Sequence, residues 1–318
     1  MSPAILLIFS LVLLFFGGEL LVRGSVAIAF KMRISTLVVG MTIVSFATSA
    51  PELFVSLQAV LDGSSNIAFG NVIGSNIANI TLVLGATAVI FRVQISKQTL
   101  TLNYPMMLLT SLVFGAVLYF FNGIPVAYGF VFIVMLLLFS WLLILTSRKN
   151  NLKAAIEDDA FLDEASHNSI FKSIAFLLAG IFLLKFGADF LVDSTKMLAK
   201  IFGISDRVVA VTVVAIGTSI PELVTSIIAA LKKEDNLAIG NLIGSNIFNI
   251  LAVLGVTASV KKINIVDSEI LSFDYFWMIA ITIVVGLFIY TFSKSKISIK
   301  EGVVLLLIYF SYMYFSVV

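Results

Sequence analysis

Two glutamates stand in matching surroundings, Glu52 in Thr48-Ser49-Ala50-Pro51-Glu52 and Glu222 in Thr218-Ser219-Ile220-Pro221-Glu222. Both lie inside apolar runs, where an ionised group costs about 3 kcal/mol or more at bilayer depth and is kept for a use. Proline has no amide hydrogen, so Pro51 and Pro221 deprive the carbonyls of Ala47 and Gly217 of their helical partners and kink or break the helix. The neighbourhood is rich in oxygen. Ser45, Thr48, Ser49, Glu52 and Ser56 recur at spacings that share one helical face; the second copy offers Thr218, Ser219, Glu222 and Ser226, with Ala215 in place of Ser45. Ser75 with Asn79, and Ser245 with Asn249, add hydroxyl and amide oxygens one turn apart. Asn71, Asn76, Asn241 and Asn246 are further candidates that serve equally to cap a broken helix or to bond across helices. Carboxylate, hydroxyl, amide and carbonyl oxygens without sulfur describe a site for a hard cation. Two carboxylates balance one calcium ion or two sodium ions. Protonated acids that merely bond between helices would account for one such glutamate better than for two at equivalent places.

The elements that position these residues follow from composition and repetition. Of 318 residues, 60% are hydrophobic and 12% charged, and the mean hydropathy is +1.12, which excludes the ordinary soluble class. Ten apolar runs of membrane-crossing length are expected, roughly at 4–29, 36–61, 67–91, 102–121, 124–146, 171–199, 206–231, 237–259, 273–292 and 301–317. The segment from Thr42 to Ile90 repeats 170 residues later, with 26 of 49 positions identical. Phe16-Gly17-Gly18-Glu19-Leu20-Leu21-Val22 likewise matches Phe186-Gly187-Ala188-Asp189-Phe190-Leu191-Val192, so the first run belongs to the repeat and is no removable signal.

Five intervening crossings return the second copy to the membrane upside down. The expected fold is therefore an all-α membrane protein of ten transmembrane helices, arranged as two inverted five-helix repeats with helices 2, 3, 7 and 8 broken. The first repeat is 1–146 with its motif at 40–85, a linker occupies 147–170, and the second repeat is 171–318 with its motif at 210–255. The linker acids Glu157, Asp158, Asp159, Asp163 and Glu164 lack the alternating ligands and turn glycine of a calcium loop and read as a solvated connector. If the N-terminus is outside, 13 lysines and arginines fall on the inner side and 5 on the outer, which predicts both termini outside and the 147–170 loop in the cytoplasm of a plasma (inner) membrane. Glu19 with Arg23, and Asp189 with Lys185, read as ion pairs within or near the spans. Gly70 with Gly74, and Gly240 with Gly244, are small-residue pairs suited to close helix packing. No nucleophile with a base and no phosphate loop is present, so an enzyme is not expected. Nor is a cofactor, a nucleic acid or a protein partner; the expected partners are the lipid bilayer and the ions themselves.

ATSAPELFVS with GTSIPELVTS, and GNVIGSNIANI with GNLIGSNIFNI, resemble the paired alpha-repeat motifs of the cation/calcium antiporter superfamily, in particular its prokaryotic sodium/calcium exchangers. The likeness covers nearly the whole chain. It implies ion ligands at Glu52, Glu222, Thr48, Ser49, Thr218, Ser219, Ser75, Asn79, Ser245 and Asn249 and at the carbonyls of Ser45 and Ala215. It also implies exchange of sodium for calcium by alternating access, with segments 1 and 6 sliding past the rest. Ala47 replaces a glycine usual in the family, which Gly217 keeps in the other copy. Asn249 stands where potassium-dependent members and some archaeal exchangers of the family carry aspartate, and neither Asn79 nor Asn249 takes up a proton as the glutamate of calcium/proton members would. Sodium without potassium is thus the expected coupling ion. Proton-coupled calcium or divalent export is the alternative among antiporters, and a passive cation channel is the alternative from another class.

Overall fold

A computed structural model describes residues 3–63, 65–154, 169–201, 217, 219–265 and 269–317. The expected sites Thr218 and Ala215 and most of the 147–170 linker lie outside the described residues. The fold is helical: α1 (Pro3–Met32), α2 (Thr36–Thr48), α3 (Ala50–Leu61), α4 (Ser65–Ile90), α5 (Thr99–Phe121), α6 (Val126–Ala154), α7 (Ile170–Ile201), α8 (Ile220–Leu231), α9 (Asp235–Val260), α10 (Ile270–Phe292) and α11 (Ile299–Val317). Eight of these are long and apolar enough to cross a membrane, and α2 with α3 makes a ninth span bent by 44°. Among the described residues there are also four short strands: β1 (Val93–Gln94), β2 (Gly123–Ile124), β3 (Ile263–Asn264) and β4 (Lys296–Ile297).

The bend has the origin the proline suggests. Ser49, between α2 and α3, holds φ −86° and ψ 3°, in the sparsely allowed region between helix and strand. Pro51 lies in the first turn of α3, where its missing amide costs nothing. Ser219 repeats the geometry before α8, at φ −91° and ψ 2°.

The expected breaks in the third and eighth crossings do not occur. α4 and α9 each run through as one helix of 26 residues, because neither contains a proline to remove a hydrogen bond. Each instead carries a stretch of wider π-helical turns, Asn79–Val83 in α4 and Asn249–Leu254 in α9. Such turns rotate the residues that follow relative to those before and recur at functional sites.

Contacts between the two halves come in exchanged pairs. A Cβ added at Gly17 of α1 would lie 2.8 Å from Leu184 N of α7, and one at Gly187 of α7 would lie 3.0 Å from Leu14 N of α1. Two further glycines without repeat-related glycine counterparts also bring these backbones together, Gly24 against Leu177 N and Gly180 against Leu21 N. Four glycines thus let the α1 and α7 backbones touch, the close approach that stabilises helix pairs where lipid provides no hydrophobic drive. β1 pairs with β4 and β2 with β3, both antiparallel. The Tyr104 hydroxyl donates to the Thr282 carbonyl at 2.8 Å, and that of Tyr275 to the Ser111 carbonyl at 3.2 Å.

Among the packing glycines expected from sequence, Gly240 and Gly244 have that role. Their added Cβ atoms would meet Leu37 O at 2.5 Å and Met41 Cα at 2.6 Å, so α2 lies directly on α9. The equivalent partner of Gly70 and Gly74, residues 207–215, lies outside the described residues. Phe69, Ile73, Ile77, Leu237 and Ile247 of α4 and α9 are fully buried, whereas Phe54, Tyr119, Phe120, Trp141, Phe171 and Phe310 lie on the outer surface. That is the inside-out distribution expected when lipid is the solvent.

Candidate cation site

The first turns of α3 and α8 carry Glu52 and Glu222. Each follows the serine-proline joint directly, so the carboxylate leaves its helix at the positive end of the helix dipole, where negative charge is favoured. Both side chains are 1% exposed. All four carboxylate oxygens are buried without a hydrogen-bond partner among the described residues. Ser49 Oγ and Ser219 Oγ, at the two joints, share that condition, as do both amide atoms of Asn79 and Oδ1 of Asn249. Buried oxygens without partners cost several kcal/mol each when charged, and a bound cation is the group that removes this cost.

Hydrogen bonds knit the five helices of the site together. Asn71 Nδ2 of α4 donates to the Glu52 carbonyl at 3.2 Å and to Ser56 Oγ at 3.0 Å, and Asn241 Nδ2 of α9 donates to Ser226 Oγ at 3.3 Å. Each kinked helix is thereby tied to the helix that follows it. Thr48 Oγ1 bridges from α2 to Asn241 Oδ1 at 3.3 Å and Ser245 Oγ at 3.4 Å on α9. Asn76 Nδ2 of α4 donates to the Asn246 carbonyl at 3.3 Å, while Asn249 Nδ2 donates to Asn76 Oδ1 at 3.0 Å.

The structure therefore brings Glu52, Glu222, Thr48, Ser49, Ser219, Asn79, Ser245 and Asn249 into one buried region between α2, α3, α4, α8 and α9. Ser75 is buried on α4 one turn before Asn79. Ser45 takes part differently. Its hydroxyl is spent on the carbonyls of Gly40 at 2.8 Å and Asn241 at 3.0 Å, and its carbonyl accepts from Ser49 N at 2.9 Å and, weakly, from Thr48 Oγ1 at 3.5 Å. The four asparagines with two possible roles prove to be cross-helix binders in part: Asn71, Asn76 and Asn241 bond between elements, while Asn246 Nδ2 bonds within its own helix to the Leu242 carbonyl at 2.8 Å.

Thr225, buried one turn beyond Glu222 with its hydroxyl unpartnered among the described residues, is a site-adjacent oxygen that sequence reasoning passed over. Its repeat-equivalent is Val55, so the repeat gave no signal. No cluster of three or more acidic, imidazole or thiol groups exists among the described residues, so any cation here must draw on neutral oxygens beyond the two carboxylates.

The ion pairs expected near the spans are present. Arg23 Nε contacts Glu19 Oε1 at 2.6 Å and Lys185 Nζ contacts Asp189 Oδ2 at 2.7 Å. Lys232 adds a bond the sequence did not indicate, with Nζ at 2.7 Å from Glu19 Oε1, tying α1 to the end of α8.

The model of the sodium/calcium exchanger protein family matches residues 2–145 and 172–318. The putative antiporter CaxA of Alkalimonas amylolytica is 36% identical over 316 residues, covering 98% of this chain and 97% of that protein. The sodium/calcium exchanger MaX1 of Methanosarcina acetivorans is 30% identical over 346 residues, covering 97% of each. Solved structures of the sodium-calcium exchanger NCX_Mj superpose with a TM-score of 0.81 at 27% identity, covering 99% of both chains. A family match over both halves, full-length relatives and a shared fold, set beside a buried cage of oxygens in an apolar bundle, lead to one conclusion: the chain belongs to the sodium/calcium exchanger family, a prokaryotic-type member of the cation/calcium antiporters.

Proposed function

We propose that this chain exchanges sodium for calcium across the plasma (inner) membrane, by alternating access to a single site built around Glu52 and Glu222. The observation that carries this reading is the set of buried, unpartnered oxygens at the two proline joints: four from carboxylates, two from Ser49 and Ser219, and the amide oxygens of Asn79 and Asn249. Six to eight oxygens in flexible geometry suit calcium, and the charge of −2 suits one calcium or two sodium ions. Thr48, Ser75, Ser245, Thr218 and the carbonyls of Ser45 and Ala215 complete the proposed ligand set.

The exchange of contacts between halves supports ten crossings in two inverted repeats, with α8 as the second part of a kinked seventh crossing. The repeats are 1–146 and 171–318, and the excess of basic residues on one side supports both termini outside with the 147–170 linker in the cytoplasm. α1 and α7, joined backbone to backbone through glycine, are suited to move as one body across the site, so that it opens first to one side and then to the other. An empty site with two carboxylates crosses unfavourably, whereas a loaded one is neutralised, and this couples the two ions. A third sodium on the uncharged oxygens would make the loaded carrier positive and the exchange voltage-sensitive.

Sealed vesicles containing the purified protein test the coupling. An outward sodium gradient drives calcium uptake, and a pH gradient alone does not. Calcium uptake driven by protons and indifferent to sodium would establish the proton-coupled antiporter instead, and uptake that needs no counter-gradient would indicate a channel.

A further inference from the structure

Asn249 contributes an uncharged amide, and an amide serves a cation only if its oxygen faces the ion. Turned by 180°, the same side chain presents two N–H groups and repels the cation. What sets the orientation is on α4. Asn76 Nδ2 donates to the Asn246 backbone carbonyl at 3.3 Å, which only an N–H group can do. Asn76 Oδ1 must then point the other way, and it accepts from Asn249 Nδ2 at 3.0 Å. Because the backbone carbonyl cannot donate, the direction of the chain is fixed from Asn246 through Asn76 to Asn249. Asn249 Oδ1 is left buried and unpartnered among the described residues.

The repeat-related residues are arranged differently. Asn246, the counterpart of Asn76, bonds to its own helix at the Leu242 carbonyl. Asn79, the counterpart of Asn249, has neither amide atom partnered among the described residues. Asn79 and Asn246 also border a small crevice of about 20 Å³ lined by Ile95, Met107 and Ile243, whereas the bonded pair Asn76 and Asn249 has no part in that lining.

We propose that Asn76 is a positioning residue that holds Asn249 with its carbonyl oxygen toward the cation, presetting one neutral ligand while its repeat-equivalent Asn79 is oriented only by the ion itself. This rests on the cation-site reading above. The test is a double-mutant cycle on the purified full chain, read by equilibrium calcium binding. Aspartate at 249 has two equivalent oxygens and needs no orientation. Asn76→Ala therefore weakens calcium binding about fivefold when position 249 is asparagine, the size of one orienting hydrogen bond, and less than about twofold in the Asn249→Asp background. Equal losses in both backgrounds would overturn the proposal and leave Asn76 a packing residue. Asn76→Asp provides the second arm, since its carboxylate still accepts from Asn249 Nδ2: affinity stays within about twofold or tightens, and a fivefold loss would overturn the proposal even if Asn76→Ala does not fold. An unmodified protein that binds no calcium would sink the cation-site reading and this inference together, whereas calcium binding unchanged by Asn76→Ala sinks the inference alone.

Discussion

Gly244 is where the packing of the bundle and the geometry of the site meet, so Gly244→Ala tests both. The added Cβ would lie 2.2 Å from Ser45 Oγ, 2.6 Å from Met41 Cα and 2.9 Å from Met41 O. The serine can rotate, at the cost of its bonds to Gly40 O and Asn241 O. The Met41 backbone cannot. Reaching an ordinary contact of about 3.4 Å means that α2 and α9 part by about 0.8 Å, since interiors are packed too closely to absorb the methyl otherwise. Thr48 Oγ1 then loses Asn241 Oδ1 and Ser245 Oγ, which at 3.3 and 3.4 Å are already near the limit of a hydrogen bond. Two or three buried bonds at about 1 kcal/mol each, with about 1–3 kcal/mol of overpacking, give about 3–6 kcal/mol. We expect the unfolding midpoint of the purified protein to fall by about 5–10 °C. Calcium affinity of the folded fraction should fall at least about tenfold, because the displaced Thr48 and Ser245 are in the proposed ligand set. Ser45→Ala added to Gly244→Ala should restore little, as the clash with Met41 remains. Unchanged melting together with unchanged calcium uptake would refute the claim that the contact of α2 on α9 holds the site.

Three further outcomes follow from the same geometry. Lys232→Gln removes the partly buried bond that ties α1 to the end of α8; maximal transport rate should change severalfold with little change in calcium affinity, and Lys232→Arg should preserve it, whereas a changed affinity would place Lys232 at the site. Gly17→Leu forces the α1 and α7 backbones apart, since even a Cβ meets Leu184 N at 2.8 Å; transport should be lost while equilibrium calcium binding survives, and retained transport would argue against motion of these helices as a pair. Protons compete with calcium for Glu52 and Glu222, so acidifying the medium should raise the calcium concentration needed for half-maximal uptake; a value independent of pH would mean that no titrating carboxylate holds the ion.

Much of the architecture was legible because the chemistry is stated twice. Matching prolines gave the joints at Ser49 and Ser219, and matching glutamates gave the carboxylates beside them. The segments Ser75-Asn76-Ile77-Ala78-Asn79 and Ser245-Asn246-Ile247-Phe248-Asn249 gave the faces of α4 and α9. The continuity of α4 and α9 was not legible. Glycines and asparagines suggested breaks, but with every amide present the backbone accommodates the site by widening a turn, which has no residue signature of its own. The directed chain from Asn246 through Asn76 to Asn249 escaped for a related reason: both copies have the same asparagines, and only the cross-helix distances show that one pair is bonded and the other is not. The bond of Lys232 to Glu19 carries no sequence signal either, because the partners lie 213 residues apart and the repeat places Asp62 at the equivalent position.

The central claim is that Glu52 and Glu222 are two halves of one site that calcium and sodium occupy in turn. Sodium-driven calcium uptake into sealed vesicles, compared among the unmodified protein, Glu52→Gln and Glu222→Gln, tests it most directly. The account predicts that either substitution alone abolishes uptake at micromolar calcium, because a divalent ion facing one carboxylate loses a large part of its charge balance and at least about two orders of magnitude in affinity. Substantial sodium-driven uptake by either single variant, with the protein folded and inserted, would contradict it.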